Sequence, residues 1–234
     1  VHYKNKDPKK VVDYIHGGRF DFLCLQEMTT SMLNNTLAGF PDTHQILVGQ
    51  PCGATKSYAV LVYRSDRFTQ VGDAFFGCFK LTNGMEDSGR PAVGGVFLDQ
   101  DLQRHIMVLS IHAPHGAGKG YKLLDNLDYF ARETLSNSKI SAKDLHHVLI
   151  GGDYNRSDWH KSRTLTITPG VHIRLASVQG LKQTRKTHPN EGAIDNFLFG
   201  SQYFRYQLEL DPESFQNKYF LGSDHMPVQV KFLA

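Results

Sequence analysis

Seven side chains able to do chemistry stand beside apolar runs in this chain. "LCLQE" ends in Glu27, "VLSIHAPHG" carries His112, and "VLIGGDYN" ends in Asp153 and Asn155. "AIDNF" holds Asp195, and "LGSDHMPV" sets Asp224 and His225 before a last apolar run. Apolar runs of this length read as buried strands. If those strands lie side by side, their ends converge on one rim with four carboxylates, two histidines and an amide. Such a group cannot stay fully ionised without counter-charge. A hard divalent cation answers this: Mg²⁺ takes one or two carboxylates plus water and substrate oxygens, and Mn²⁺ or Ca²⁺ could accept similar donors. Histidines beside carboxylates supply general acid and base groups. Arg90 in "DSGRPAVGG" adds a fork that holds phosphate, and Arg156 could reach a neighbouring one. Cation, acid–base pair and anion clamp together describe hydrolysis of a phosphate ester.

Taken singly, each residue has a plainer reading. Glu27 could be a strand-end ion pair or a helix cap, His112 a satisfied core histidine, and "GGDYN" a turn in which Asp and Asn bond their own backbone. "SDH" could be a turn, Asp195 a loop anchor, Arg90 a surface arginine and Arg156 the ion-pair partner of Asp158. The ordered set is much harder to dismiss than any member of it.

The elements that must position these groups are short and mostly strand-like. Strand candidates are 21–27, 58–64, 93–99, 105–113, 146–155, 193–200, 202–210 and 227–233, bounded by Gly, Pro, Asn and Asp. A helix is expected after Asp7 and Pro8, with Val11, Val12 and Ile15 on one face and Gly17-Gly18 as its stop. A second is expected over about 120–135 from the spacing of Leu123, Leu124, Leu127, Phe130, Ala131 and Thr134, with weaker ones over 30–37 and 157–165. Many strands with few helices predict an α+β domain of two packed sheets with helices outside.

The 234 residues suit one domain, since no linker interrupts them. A net charge of +3 permits an anionic partner without demonstrating one. Twelve histidines make pH-dependent behaviour plausible. Three cysteines, none in a CxxC pair, argue against a complete disulfide framework, and Cys24 reads as a small core residue. No apolar stretch approaches the ~20 residues of a membrane helix, and no signal peptide is visible. The compartment and oligomeric state stay open.

The landmarks "LQE", "IHAPHG", "GGDYN", "AIDNF" and "SDHMPV" resemble, in order, those of the endonuclease/exonuclease/phosphatase superfamily, across residues 25 to 228. Within it the chain looks most like the deoxyribonuclease I-like branch and the catalytic subunit of cytolethal distending toxins, through "GRPAVGG", "SIHAPHGAG", "GGDYNR" and "IDNF". The resemblance implies a four-layer α/β sandwich of two mainly antiparallel sheets flanked by helices, with the site at one edge. It implies Glu27 and Asp224 at the metal, with Asp153 orienting or deprotonating the attacking water. Asn155 and Arg90 would bind phosphate, and His225 would be paired with Asp195. His112 would sit at the scissile phosphate. DNA is the implied substrate, and the toxin likeness implies partner subunits and a secreted or nuclear location.

The chain departs from the pattern in three places. The family's opening strand and its Asn are not found ahead of Glu27, so an incomplete N-terminus or an incomplete site is expected. Ser57 stands where a Glu often supports the first histidine. "GAIDNFLF" lacks the inositol-phosphatase signature. The leading expectation is a metal-dependent DNA endonuclease. A lipid or inositol phosphatase, and a binding module that has lost catalysis, are the alternatives. Lys56, Arg64, Arg67, Lys161, Arg163, Lys182, Arg185 and Lys186 are candidates to track a nucleic-acid backbone, although scattered surface bases are their plainer reading.

Overall fold

A strand turns alternate side chains to opposite faces, so each short apolar run has a face to bury. The structure, a computed structural model, describes residues 20–37, 39, 41–53, 56–81, 86–115, 122–155, 163–177, 195–202, 207–210 and 230–233. In chain order the elements are β1 (Phe22–Met28), α1 (Thr30–Leu37), β2 (His44–Val48), β3 (Tyr58–Arg64), β4 (Phe68–Lys80), β5 (Glu86–Asp99) and β6 (Arg104–His112). There follow α2 (Leu123–Ser138), a 3₁₀ turn (Ala142–Asp144), β7 (Leu145–Asp153), β8 (Arg163–Thr168), β9 (Val171–Ser177), β10 (Asp195–Ser201), β11 (Gln207–Leu210) and β12 (Val230–Leu233).

The strands form a small sheet in the order β1-β3-β2, a seven-stranded sheet in the order β4-β5-β6-β7-β10-β9-β8, and the pair β11-β12. Every described pairing is antiparallel except β6 with β7. A parallel pair needs a long crossover, and α2 lies within the connection that supplies it.

Two adjacent glycines show how the layers stack. A Cβ on Gly94 would strike Leu109 and come within 3.0 Å of Thr134 on α2, whereas one on Gly95 would lie 3.3 Å from Leu47 of the small sheet. Successive residues of a strand face opposite ways, so α2 covers one face of the large sheet and the small sheet covers the other. Phe130 of α2 packs on Phe75 and Phe79, with ring centroids 5.5 and 5.0 Å away. Phe22 and Tyr63 of the small sheet pack on Phe97, at 5.2 and 4.7 Å. Leu33 of α1 closes a second cluster with Leu25, Met28, Val60 and Val62 on the outer face of the small sheet. The order helix, sheet, sheet, helix is the four-layer sandwich that the sequence motifs imply.

Several expectations need correction. The helix expected over 157–165 is wrong at its described end, where Arg163, Thr164 and Leu165 open β8. Leu165 and Ile167 are buried between less buried threonines, the period of a strand. Of the strand expected over 202–210, Gln202 is a bend after β10 and Gln207–Leu210 is strand β11. Strands β2, β4 and β9 were not expected from the sequence. β4 is an edge strand whose glycines and exposed residues blur its alternation. The helix expected near Asp7 lies outside the described residues. Cys52 and Cys78 are joined in a disulfide, and Cys24 is a buried thiol that burial pushes up to about 12.

Candidate functional site

Strand register assembles the rim. In the parallel pair β6–β7, His112 stands opposite Asp153, and in the antiparallel pair β7–β10, Asp153 stands opposite Asp195. Three adjacent strands therefore end on one rung with His112, Asp153 and Asp195 in a row. The sequence separates them by 41 and 42 positions; the sheet sets them side by side.

His112 and Asp153 are both fully buried, and Nε2 of the histidine lies 3.7 Å from Oδ2 of the aspartate. Arg90, on β5, sets Nη1 3.0 Å from the same Nε2. The same Nη1 lies 3.5 Å from Nδ1, and since a guanidinium has only hydrogens to give, a ring nitrogen of His112 is the acceptor in this contact. The histidine is held between a cation and an anion.

The "GGDYN" turn is built from its own residues. Gly152 has φ +147, and a Cβ there would strike the carbonyl of Ile111 on β6, so only glycine allows this approach. Tyr154 turns inward, fully buried, and its hydroxyl donates to the carbonyl of Ile150 at 2.9 Å. Asn155 takes φ +49, its backbone N–H donates to Asp153 Oδ1 at 2.7 Å, and its Nδ2 donates to the carbonyl of Ala113 at 2.7 Å. That last bond ties the turn to the residue after His112. It uses one amide hydrogen of Asn155 and leaves Oδ1 buried with no hydrogen-bond partner among the described residues.

Glu27 comes from the small sheet, so the strands that carry these residues do not all lie side by side in one sheet. β1 packs face-on against β6 and β7: Gln26 Nε2 donates to Ser110 Oγ at 3.2 Å, and a Cβ on Gly151 would lie 2.9 Å from Cys24 Sγ. This brings Glu27 to the end of the sandwich where His112 and Asp153 stand. Its φ of +56 marks an irregularity in the strand, where the register with β3 shifts between Leu25 and Met28.

Asp224, His225 and Arg156 lie outside the described residues, and of Asp195 only the backbone is described. Among the described residues no group of three His, Cys, Asp or Glu is arranged to hold a metal ion. Glu27 offers one hard oxygen donor, and a single carboxylate completed by water and phosphate oxygens fits Mg²⁺, Mn²⁺ or Ca²⁺ chemistry. Among the described residues no helix is long and apolar enough to cross a membrane.

Sequence reasoning missed Gln26, Ser110 and Tyr154. The signal was present for Gln26: it follows Cys24 by two, so both share the inner face of a strand. Arg64 and Arg67 follow their plainer reading as surface bases. Both lie at the opposite end of the sandwich, tied to carboxylates: Arg64 to Asp66 at 2.7 Å, and Arg67 to Asp21 at 2.9 Å and Asp99 at 2.8 Å. They are not placed to track a phosphate chain at the rim.

No family model matches the chain, and no curated protein matches it. Solved structures do. An endonuclease/exonuclease/phosphatase protein from Bacteroides vulgatus is 17% identical, with 99% of this chain and 97% of that one covered at a TM-score of 0.65. A mannosyl-6-phosphatase from Bacteroides thetaiotaomicron is 18% identical, with coverage of 97% and 90% and a TM-score of 0.63. ANGEL2, a 2′,3′-cyclic phosphatase crystallised with adenosine-2′,3′-vanadate, is 13% identical, with coverage of 96% and 85% and a TM-score of 0.69. Together with the helix, sheet, sheet, helix order, these likenesses show that the chain has the endonuclease/exonuclease/phosphatase fold.

Proposed function

We propose that the chain is a divalent-metal-dependent phosphoesterase that hydrolyses phosphodiester bonds of DNA. The observation that carries this reading is the buried row of His112 and Asp153, with Arg90 on the histidine and Asn155 latched behind it. Asp153 accepts the proton of the attacking water or orients it. His112 and Arg90 hold the phosphoryl oxygens as charge develops on them, the largest expected catalytic contribution. Asn155 has an amide hydrogen left for a phosphate oxygen. Glu27, with Asp224, would hold Mg²⁺, which when bound would neutralise phosphate charge. By the resemblance, His225 is kept in its working orientation by Asp195, and Arg156 reaches an adjacent phosphate.

DNA as substrate rests on the likeness to the deoxyribonuclease I-like branch and to the toxin subunit. A phosphomonoesterase is the second reading. It is favoured by the mannosyl-6-phosphatase among the similar structures and by the ion pairs that occupy Arg64 and Arg67. Incubation with supercoiled plasmid, mannose 6-phosphate, a 2′,3′-cyclic nucleotide and a phosphoinositide panel separates the readings, each run with Mg²⁺ and with chelator. Nicking of plasmid that chelator abolishes is expected. Turnover of a monoester with plasmid left intact overturns the DNA assignment, and plasmid nicking undiminished by chelator overturns the metal dependence.

A further inference from the structure

The irregularity in β1 explains how a glutamate reaches the rim at all. On the outer face of the small sheet, Leu25 and Met28 are buried together with Val60 and Leu33. In an uninterrupted strand the residue two after Leu25 shares its face, and that residue is Glu27. Here Met28 occupies the outer face instead. Three steps along β1, from Leu25 to Met28, oppose two along β3, from Val60 to Tyr58. Glu27 is the extra residue of this bulge, and its left-handed backbone takes the carboxylate out of the apolar row. Bulges re-aim side chains in this way and are common beside active sites. A left-handed backbone at a residue other than glycine persists only where its surroundings hold it.

Gln26 is the residue placed to hold it. Its side chain is fully buried between the sheets, as is Ser110, and Nε2 donates to the serine hydroxyl at 3.2 Å. Cys24, the previous inward residue of β1, donates its thiol to the carbonyl of Leu109 on β6. Ser110 lies two residues before His112 on β6. One hydroxyl thus fastens β1 immediately before its bulge to the strand that carries His112.

We propose that Gln26 is a positioning residue: through Ser110 it fixes the β1 bulge, and so the placement of Glu27 relative to His112 and Asp153. The inference rests on the reading of Glu27 as the cation-side carboxylate. Gln26 touches neither substrate nor cation. Its loss leaves the carboxylate in the chain but less well placed.

The test measures Mn²⁺ binding by calorimetry, without substrate, alongside the melting temperature. The variants are Gln26→Leu, Ser110→Ala, the double variant and Glu27→Gln. Supporting shell residues of metal sites change affinity about 10-fold or more when removed, so each single variant should weaken Mn²⁺ binding about 10-fold. Removing both partners takes away the donor and the acceptor of this bond together, so neither is left buried without the other. The double variant should therefore melt closer to wild type than Gln26→Leu, yet bind Mn²⁺ no better than the single variants. This separates a positioning role from a structural one. Unchanged affinity in the single variants, or an affinity that recovers with melting temperature in the double variant, overturns the inference while Glu27→Gln still loses binding. A wild-type chain that binds no Mn²⁺, or a Glu27→Gln chain that binds it fully, overturns the functional reading and this inference with it.

Discussion

The two ends of the sandwich hold the same kinds of residue in opposite arrangements. At the end remote from the rim, Asp99 is buried and meets Arg67 at 2.8 Å, while its other oxygen accepts the backbone N–H groups of Asp101 and Leu102. Arg67 also reaches Asp21, and Arg64 is paired with Asp66. Cation meets carboxylate, and the turn between β5 and β6 is fastened. At the rim the arginine leans on a histidine, and the buried carboxylate holds a turn whose asparagine is bent into a left-handed backbone. Backbone strain follows the same division. Of the four described residues other than glycine with positive φ, Gln103 lies in that remote turn and Lys139 caps the C-terminus of α2, both ordinary places for it. The other two, Glu27 and Asn155, are at the rim. At the remote end the ion pairs serve stability, whereas a left-handed backbone at residues other than glycine is a feature that often accompanies ligand sites.

Three substitutions test this contrast. Asp153→Asn keeps the shape of the rim and removes the carboxylate proposed as its base. Turnover on the best substrate should fall by about 10²- to 10⁴-fold, with a melting temperature near wild type. A large drop in melting temperature with turnover kept would place Asp153 with the remote carboxylates. Asp99→Ala should do the reverse. It strips Arg67 of its buried partner and frees the turn, at a stability cost of about 2 kcal/mol. Turnover measured below the melting transition should hold, and a loss there would show that the remote end communicates with the rim.

The smallest expected effect concerns pH. His147, at the remote end of β7, is buried and stacked on Phe199 with ring centroids 5.8 Å apart. Burial first, then the charge of Arg104, lowers its pKa to about 4. The unfolded chain takes the proton near 6.5, so between 6.5 and 4 it binds more protons than the folded one. The contribution of His147 to stability is complete above 6.5, is lost as pH falls toward 4, and changes no further below that. Melting curves from pH 7.5 to 4 should show a decline that His147→Phe reduces. An equal decline in the variant would assign the acid sensitivity to other groups.

Local chemistry made part of this molecule legible in advance. Residues 58–64 are strand because Ala, Val and Leu with flanking Tyr suit a buried pleated surface, and the strand occupies those positions without error at either end. Leu123 to Thr134 is helix because its apolar residues recur at helical spacing, although the helix begins later than expected and runs on to Ser138. β4 was not legible, because an edge strand is exposed along one side and its pattern carries fewer buried residues.

The types of the site residues and their places at the ends of apolar runs are properties of the sequence, since an acid or imidazole following a buried strand must emerge where that strand ends. Which ends meet is not such a property. The rung of His112, Asp153 and Asp195 depends on β6 and β7 pairing in parallel and β10 returning antiparallel, and these pairings span more than 40 residues of chain. Glu27 had no local reason to leave the apolar row that Leu25 begins. Only the packing of one sheet on the other, with Gln26 bound to Ser110 between them, made room for the bulge that sets it apart.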